Sequence, residues 1–263
     1  MLRERFTCKR DDLTIRGECY RPDGTDLPIV IISHGFMANM RMCRKYAKLL
    51  ATRGYAAFIF DFNGGGLLNK SSGRTQDMSL LTETEDLKAV LAFAKAQPWV
   101  NASRTLLMGC SQGGFVSALT AAAIKSSINA LVLFYPALCI PDDARRGQMM
   151  FARFDPANIP DIIRCGPMKL GRCYAESVIG MDPIREISPY DGPVLIVHGT
   201  ADKIVPLRYA EQAAAAYPRG SLKIIEGGEH MFRGRHDTEA IAALADFLQL
   251  SFPPSADEKE GKH

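Results

Sequence analysis

Short apolar runs alternate along this chain with longer stretches in which apolar residues recur at helical spacing. A short, largely apolar run bounded by turn residues is typical of a strand buried in a sheet. Strands are accordingly predicted at residues 28–32, 55–62, 105–108, 129–135, 194–197 and 222–226.

Helical spacing is clearest before Pro98, where four apolar residues fall on one face of a helix predicted over about 81–96. This buried stripe consists of Leu87, Val90, Leu91 and Ala94. Thr82 and Glu85 have the spacing of a capping box and predict where the helix begins. Similar patterns predict helices at about 40–53, 115–123, 207–217 and 238–250.

The first two strands differ from the others. Within residues 4–21, and most clearly from Leu13 to Cys19, apolar and polar positions alternate as they do in half-buried strands. From there on, strands alternate with helices. The pattern predicts an α/β fold with a mostly parallel central sheet, helices on both faces and an antiparallel pair at one edge. Ligands of such sheets bind beyond the carboxyl ends of the strands.

The alternation stops between residues 139 and 188. Five prolines and four glycines interrupt this stretch, and no long periodic segment occurs in it. The stretch is too long for a plain connection, and its aromatic and aliphatic residues argue against disorder. We therefore predict a core of residues 1–138 and 189–252, an inserted cap or lid at 139–188, and a frayed polar tail at 253–263.

Composition limits the partners of the protein. The 263 residues are 47% hydrophobic and 23% charged, which suits one large buried core. The net charge is +3 without a dense block of lysine and arginine, so no nucleic-acid partner is expected. The chain has no apolar leader and no run of 18 apolar residues, so we expect no membrane association and a cytoplasmic location. The seven cysteines form no CxxC pair and are expected to be reduced thiols.

Ser111 is the strongest candidate for chemistry. It is the centre of Gly109-Cys110-Ser111-Gln112-Gly113, between a predicted strand and a predicted helix. Gly-x-Ser-x-Gly at such a turn is typical of a nucleophile elbow, in which strained backbone angles lift the serine hydroxyl out of the sheet. The alternative is a serine that only caps a helix, so the assignment depends on partners for Ser111.

A serine nucleophile needs a base, and the base needs a third group that orients it. His230 follows the last predicted strand in a glycine-containing loop, at the same edge of the sheet as Ser111, and is the candidate base. His198 lies inside a buried strand, where a structural role is expected. Asp202 follows that strand at the correct edge and is the candidate acid; its alternative is an Asx-turn residue. Asp191 precedes the strand and lies at the wrong edge.

Two backbone N–H groups are expected to form an oxyanion hole, those of Gln112 and Phe36. Phe36 lies in the loop after strand 28–32, and this loop is expected to approach the substrate, so His34 is a candidate substrate contact. No metal or cofactor is expected. Residues 64–71 come close to a phosphate-binding loop, but Asn69 replaces a required glycine and no helix follows directly.

The chain resembles α/β-hydrolases over nearly its whole length, including the chain order nucleophile, acid, base. The matching segments are His34-Gly35-Phe36, Asp61-Phe62-Asn63-Gly64, Gly109–Gly114, His198–Pro206 and Glu226–His230. Within the superfamily the chain is most similar to the intracellular bacterial cinnamoyl (feruloyl) esterases, which have a similar Asp-Phe-Asn-Gly loop and a compact cap. Residues 169–174 also resemble their cap. The chain departs from those esterases at Gly65 and Cys110, where histidine is common.

This resemblance implies a serine carboxylesterase that hydrolyses hydroxycinnamate esters through an acyl-enzyme, with the cap over the phenolic ring. By position, Asp143 and Tyr174 match cap residues that hold the ring hydroxyl in those esterases. A homodimer is also implied. The cap mixes charged residues such as Arg145 and Arg146 with its apolar ones, which suits a small polar aromatic ester better than a lipid.

Two other classes of function stay open at this point. An acylglycerol hydrolase, a thioester hydrolase or a peptidase would use the same three residues on another substrate, and a strongly apolar cap would favour lipids. A protein of this fold that only binds a ligand is the other alternative, but binding alone would not need Ser111, Asp202 and His230 together.

Overall fold

The computed structural model describes residues 1–254, so nearly all of the predicted tail at 253–263 lies outside the described residues. Within residues 1–254, no helix is both long enough and apolar enough to cross a membrane. The strands are β1 Leu2–Arg10, β2 Leu13–Arg21, β3 Leu27–Ser33, β4 Ala56–Phe60, β5 Val100–Cys110, β6 Ala130–Phe134, β7 Gln148–Met149, β8 Ala152–Arg153, β9 Ile162–Cys165, β10 Met168–Gly171, β11 Val194–Gly199 and β12 Gly220–Ile225. The α-helices are α1 Arg44–Ala51, α2 Leu80–Lys95, α3 Gln112–Ala123, α4 Ile140–Arg145, α5 Arg172–Ile179, α6 Pro183–Ile187, α7 Arg208–Ala216 and α8 Arg235–Ser251.

One large sheet organises the molecule. Its eight strands follow the order β1-β2-β4-β3-β5-β6-β11-β12. β2 is antiparallel to both β1 and β4, and the remaining neighbours are parallel. The predicted fold class, a mostly parallel sheet with an antiparallel edge, is confirmed.

Alternate residues of the central strands face two different cores, which explains why the strand sequences are apolar throughout. In β3, Ile29 and Ile31 pack in the core that is covered by α2 and α3, whereas Val30 and Ile32 pack in the core covered by α1 and α8. All four side chains are fully buried. The sheet is therefore a rigid platform whose carboxyl edge presents the loops discussed below.

Helix α2 begins earlier than its sequence pattern predicts. Ser79 is the N-cap: its hydroxyl accepts from the Thr82 N–H at 3.2 Å, and the Thr82 hydroxyl accepts from the Ser79 N–H at 2.8 Å. The predicted capping box of Thr82 and Glu85 is wrong, and Glu85 binds Lys88 instead. The helix already begins at Leu80 because the side chain of Leu80 is buried and has to face the core.

Residues 139–188 lie between β6 and β11 and contain three short helices and two antiparallel hairpins. Strands of two to four residues are too short to show a period, which is why the sequence revealed none. Buried side chains of this segment, among them Ile140, Ile163 and Leu170, pack in the same core as α2 and α3. The division of the chain into a core and a cap stays a prediction.

Candidate active site

Ser111 lies at the turn between β5 and α3, with backbone angles φ 55° and ψ −123°. Such angles are unfavourable for a residue with a side chain, so the turn is strained. The Ser111 N–H donates to the carbonyl oxygen of Phe134 at 2.9 Å, which fixes the turn to the end of β6. This is the strand-to-helix turn that the motif predicts, and Ser111 lines a cleft beside it.

The glycines of the motif make this turn possible because no side chain fits at their positions. A Cβ atom on Gly109 would lie 2.1 Å from the carbonyl oxygen of Gly113, and a Cβ atom on Gly113 would lie 2.3 Å from that of His34. Both neighbours are backbone atoms that cannot swing aside. The strand, the helix and the loop after β3 therefore approach one another as closely as only glycine allows.

Gly113→Ala should destabilise the protein, because the added methyl group would force the backbone of His34 away from α3. We expect the free energy of unfolding to fall by about 2 kcal/mol or more, with loss of activity. Urea unfolding measures this effect. Gly180→Ala is the matched control, because a Cβ atom there meets nothing within 4 Å. A Gly113→Ala protein as stable and active as the control would contradict this account of the turn.

His230 and Asp202 complete a hydrogen-bonded chain with Ser111. His230 Nε2 is 3.0 Å from Ser111 Oγ, and His230 Nδ1 is 2.7 Å from Asp202 Oδ2. An ionised carboxylate only accepts hydrogen bonds, so Nδ1 must carry the proton in this pair. Nε2 is then free to accept the proton of the serine hydroxyl. The structure thus brings together the three residues that the sequence selects.

The carboxylate of Asp202 is held by groups on several sides. Its side chain is fully buried, and its Oδ1 accepts the N–H groups of Ile204 and Val205, both at 2.9 Å. Burial by itself would raise the pKa of Asp202, but hydrogen bonds from His198 and His230 outweigh burial and hold the pKa below its usual value. Asp202 is therefore ionised at neutral pH.

The residues predicted for the oxyanion hole lie beside Ser111. Gln112 is the first residue of α3, so its N–H has no partner within the helix. Gly35 passes close to the serine: a Cβ atom on Gly35 would lie 3.1 Å from Ser111 Cβ and 3.6 Å from Ser111 Oγ. Phe36 follows Gly35 and lines the cleft. The catalytic roles of these two N–H groups stay predictions.

The cleft above Ser111 encloses about 850 Å³ including its open mouth, and most of its lining side chains are apolar. Asp143 and Tyr174, which the sequence analysis assigns to the predicted cap, both line it. The carboxylate of Asp143 forms an ion pair with Arg146 at 2.5 Å. The hydroxyl of Tyr174 donates to Gln112 Oε1 at 2.5 Å, and burial raises the pKa of Tyr174 well above its usual value, so the hydroxyl keeps its proton.

The sequence predicts that His34 contacts the substrate, but the structure places its side chain away from the cleft. Its side chain is 1% exposed, and its ring packs edge-on against Phe62. His34 Nδ1 is 2.9 Å from the carbonyl oxygen of Gly35, and Nε2 accepts the Phe62 N–H at 3.3 Å. Burial lowers the pKa of His34, so the ring is neutral. Because both nitrogens serve the backbone, His34 holds the loop together beneath the site.

No metal site accompanies these residues. Across the described part of the chain, no group of three or more histidine, cysteine, aspartate or glutamate side chains is placed to hold a metal ion.

The model of the Hydrolase_4 family, described as serine aminopeptidase, S33, matches residues 26–164, which is more than half of the chain. The chain belongs to this family. Its structure is similar to that of Est1E from Butyrivibrio proteoclasticus solved with ferulic acid bound, with 28% identity, a TM-score of 0.85, and coverage of 93% of this chain and 98% of that one. The α/β-hydrolase superfamily predicted from the motifs is thereby confirmed.

Two further relatives of this hydrolase cover most of its length. The uncharacterized protein YfhR of Escherichia coli O157:H7 is 26% identical over 238 residues, which are 89% of this chain and 74% of YfhR. DcsB, solved in complex with its substrate analogue, is 24% identical and superimposes with a TM-score of 0.76. The match covers 95% of this chain and 99% of the DcsB chain, and at this identity it shows a shared fold alone.

Sequence reasoning missed two rings that contact the hydrolase's candidate triad. His198 is fully buried in β11 as expected, but its Nε2 lies 2.8 Å from the carbonyl oxygen of Val205 and 3.4 Å from Asp202 Oδ2. Tyr135, directly after β6, has its ring centroid 4.7 Å from that of His230. Their positions could have indicated these contacts, because both residues lie at the carboxyl ends of central strands.

Glu83 is the third residue that sequence reasoning missed. Its side chain is 1% exposed, and its Oε2 accepts from Gln112 Nε2 at 2.7 Å. Burial raises the pKa of Glu83 well above its usual value. The sequence did contain a signal, because Glu83 precedes Leu87 by four residues and so extends the buried stripe of α2. A carboxyl group on an apolar stripe needs a partner, which here is Gln112.

Proposed function

We propose that this hydrolase is a serine carboxylesterase that cleaves small aromatic esters of the hydroxycinnamate type. The observation that carries the proposal is the continuous hydrogen-bonded chain from Ser111 through His230 to Asp202, which ends on a cleft of suitable size for such an ester. The proposal assigns Ser111 as nucleophile, His230 as general base and Asp202 as the group that orients the base.

In the acylation step, Ser111 Oγ attacks the ester carbonyl carbon while His230 Nε2 takes the hydroxyl proton. The carbonyl oxygen becomes an oxyanion and accepts the N–H groups of Phe36 and Gln112. The imidazolium ion of His230 is stabilised by the negative charge of Asp202. It then gives its proton to the leaving alcohol as the carbon–oxygen ester bond breaks, and the acyl group stays on Ser111.

In the deacylation step, water takes the place of the alcohol. The water oxygen attacks the acyl carbon while His230 accepts a proton from the water. The N–H groups of Phe36 and Gln112 then donate hydrogen bonds to the second oxyanion. His230 then returns the proton to Ser111 Oγ when the bond between Ser111 and the acyl carbon breaks. The carboxylic acid leaves, and the enzyme is restored.

An aromatic acyl group is supported by the lining of the cleft. Apolar walls suit the ring, and Asp143 and Tyr174 supply oxygen atoms that can accept a hydrogen bond from a ring hydroxyl. The hydroxyl of Tyr174 donates to Gln112, so its oxygen is left to accept from the substrate. The similarity to Est1E, a structure that contains ferulic acid, supports the same substrate class.

Esters of longer acyl chains are the second candidate substrates, because three apolar side chains are exposed along the cleft. Met150, Phe151 and Ile204 line the cleft and are 38%, 71% and 45% exposed. The charges that the sequence analysis used against a lipid are largely neutralised by neighbours: Arg145 binds Asp142, and Arg146 binds Asp143.

A peptidase is less favoured. An aminopeptidase needs an acidic group that can bind the substrate's amino terminus near the nucleophile. Asp143 is the acidic side chain that lines the cleft, and its charge is already balanced by Arg146, which leaves an oxygen atom that can accept a hydrogen bond but little charge to attract an ammonium group. An amide is therefore a less favoured substrate than either kind of ester.

A panel of five substrates, in which all the esters share the same leaving group, separates these candidates: methyl ferulate, methyl cinnamate, methyl butyrate, methyl octanoate and an aminoacyl anilide. We expect kcat/KM for methyl ferulate to exceed that for the octanoate and the anilide by about tenfold or more. Methyl cinnamate, which lacks the ring hydroxyl, should be the poorer of the two aromatic esters. The highest kcat/KM on the octanoate would favour the second candidate, and the highest on the anilide would contradict an esterase.

A further inference from the structure

Gln112 connects three parts of the molecule beside the nucleophile. Its main-chain N–H belongs to the proposed oxyanion hole, while both ends of its side chain are held. Oε1 accepts from the hydroxyl of Tyr174 on α5, and Nε2 donates to Glu83 Oε2 on α2. Glu83 and Gln112 are each 1% exposed and Tyr174 is 2% exposed, so water does not compete for these bonds.

Catalysis benefits when the position of Gln112 is fixed. Gln112 follows Ser111, whose positive φ marks a strained turn, and the direction of the Gln112 N–H depends on the same backbone. A displacement of about 1 Å in a catalytic site can cost about 100-fold in rate. Anchoring the side chain of Gln112 at two points restricts such displacement.

The surroundings of Glu83 favour an uncharged carboxylic acid. Within the described residues, no lysine or arginine forms an ion pair with Glu83. The groups that face it are Gln112 from α3, Tyr174 from α5 and Asp86 on its own helix. Asp86, less than one turn further along, does have a cation, since Arg10 Nε is 2.5 Å from its Oδ1.

The absence of charge on Glu83 matters for the chemistry proposed above. A negative charge behind Gln112 would repel the negative oxyanion that forms in front of it, whereas a neutral acid still accepts the hydrogen bond from Gln112 Nε2. The loop after β4 closes over the acid, because a Cβ atom on Gly65 would lie 2.6 Å from Glu83 Oε1.

We propose that Glu83 is a positioning residue of the oxyanion hole, which anchors the Gln112 side chain and links Tyr174 in the cleft to the N–H that receives the oxyanion. This inference rests on the proposed function, because it assumes that the Gln112 N–H stabilises an oxyanion. Glu83 contacts no reacting atom. It acts through Gln112.

Two substitutions separate a positioning role from simple packing. Glu83→Gln keeps the size of the neutral acid and an oxygen that can accept from Gln112, whereas Glu83→Met keeps the size but has no such oxygen. We expect Glu83→Met to lower kcat for p-nitrophenyl butyrate by about 10- to 100-fold with KM changed less than about threefold, and Glu83→Gln to retain at least about a third of kcat. Glu85→Gln is the matched control, since Glu85 is on the same helix and its carboxylate pairs with Lys88.

Gln112→Met provides a second route if Glu83→Met does not fold, because it removes the anchored side chain and keeps the main-chain N–H. It should reproduce the loss of kcat, and the double variant should be no worse than either single variant. Full kcat in Glu83→Met or in Gln112→Met would overturn the proposal, and so would equal losses in Glu83→Gln and Glu83→Met.

The rate of Ser111 labelling by a fluorophosphonate distinguishes failure of this inference from failure of the proposed function. The reagent needs the nucleophile and the oxyanion hole but no particular natural substrate. A wild-type protein that is neither labelled nor active on esters would refute the proposed function. Equal labelling rates in the wild type and Glu83→Met would refute the role of Glu83 alone.

Discussion

Ser111→Ala is expected to lower kcat/KM for methyl ferulate by about 10⁴-fold or more. Alanine has no atom that can attack the ester carbonyl, so only the oxyanion hole and substrate binding would remain to accelerate attack by water. Hydrolysis followed by the release of ferulate measures the effect. Activity of Ser111→Ala above about 1% of the wild type would remove Ser111 from the mechanism.

The loss should not reflect unfolding. Serine and alanine have similar difficulty in adopting φ 55°, so the thermal midpoint of Ser111→Ala should stay within a few degrees of the wild type. Ser188→Ala is the control for substitution of a serine, because the hydroxyl of Ser188 binds the carbonyl oxygen of Arg185 at the end of α6, and Ser188 does not line the cleft. It should keep wild-type activity.

Asp202→Asn is expected to lower kcat by about 10³- to 10⁴-fold while the protein stays folded. In the wild type, Asp202 Oδ1 accepts hydrogen bonds from the N–H groups of Ile204 and Val205, both at 2.9 Å. The amide oxygen of asparagine can still accept these two hydrogen bonds. The amide NH₂ then faces His230 and favours the tautomer that has its proton on Nε2. In that tautomer, His230 cannot accept the proton of Ser111.

The combination with Ser111→Ala tests whether these residues act as a unit. The double variant Ser111→Ala/Asp202→Asn should be about as inactive as Ser111→Ala, because Asp202 has nothing to contribute without the nucleophile. Asp161→Asn is the control, since its carboxylate is 89% exposed and pairs with Arg172. Additive losses, or a loss below about tenfold in Asp202→Asn, would contradict the assigned role of Asp202.

Much of this site could be predicted because parallel strands end at one edge of a sheet. Asp202 follows β11 and His230 follows β12, so the strand pattern alone places both near Ser111 at the end of β5. The order of the strands could not be predicted in this way. β4 lies between β2 and β3 in the sheet, and this arrangement depends on packing across the whole molecule.

Contacts within the site were harder to predict, because they depend on which way a side chain points. His34 was expected to face the substrate, but its ring turns beneath the loop to bind the Phe62 N–H. The burial of Glu83 is hard to predict because charged residues of a helix are normally solvated, and its buried partner Gln112 is 29 residues away. The sequence pattern counts Arg146 as a charge that makes the cap polar, but the guanidinium of Arg146 forms an ion pair with Asp143.

Trapping of the acyl-enzyme tests the central claim most directly. The protein is mixed with p-nitrophenyl ferulate, whose good leaving group makes acylation faster than deacylation, quenched in acid within the first turnovers, digested and analysed by mass spectrometry. The mechanism predicts a feruloyl group on the peptide that contains Ser111, formed before steady-state release of ferulate and absent in Ser111→Ala. Release of ferulate without any such adduct, or an adduct on another residue such as Cys139 in the same cleft, would contradict it.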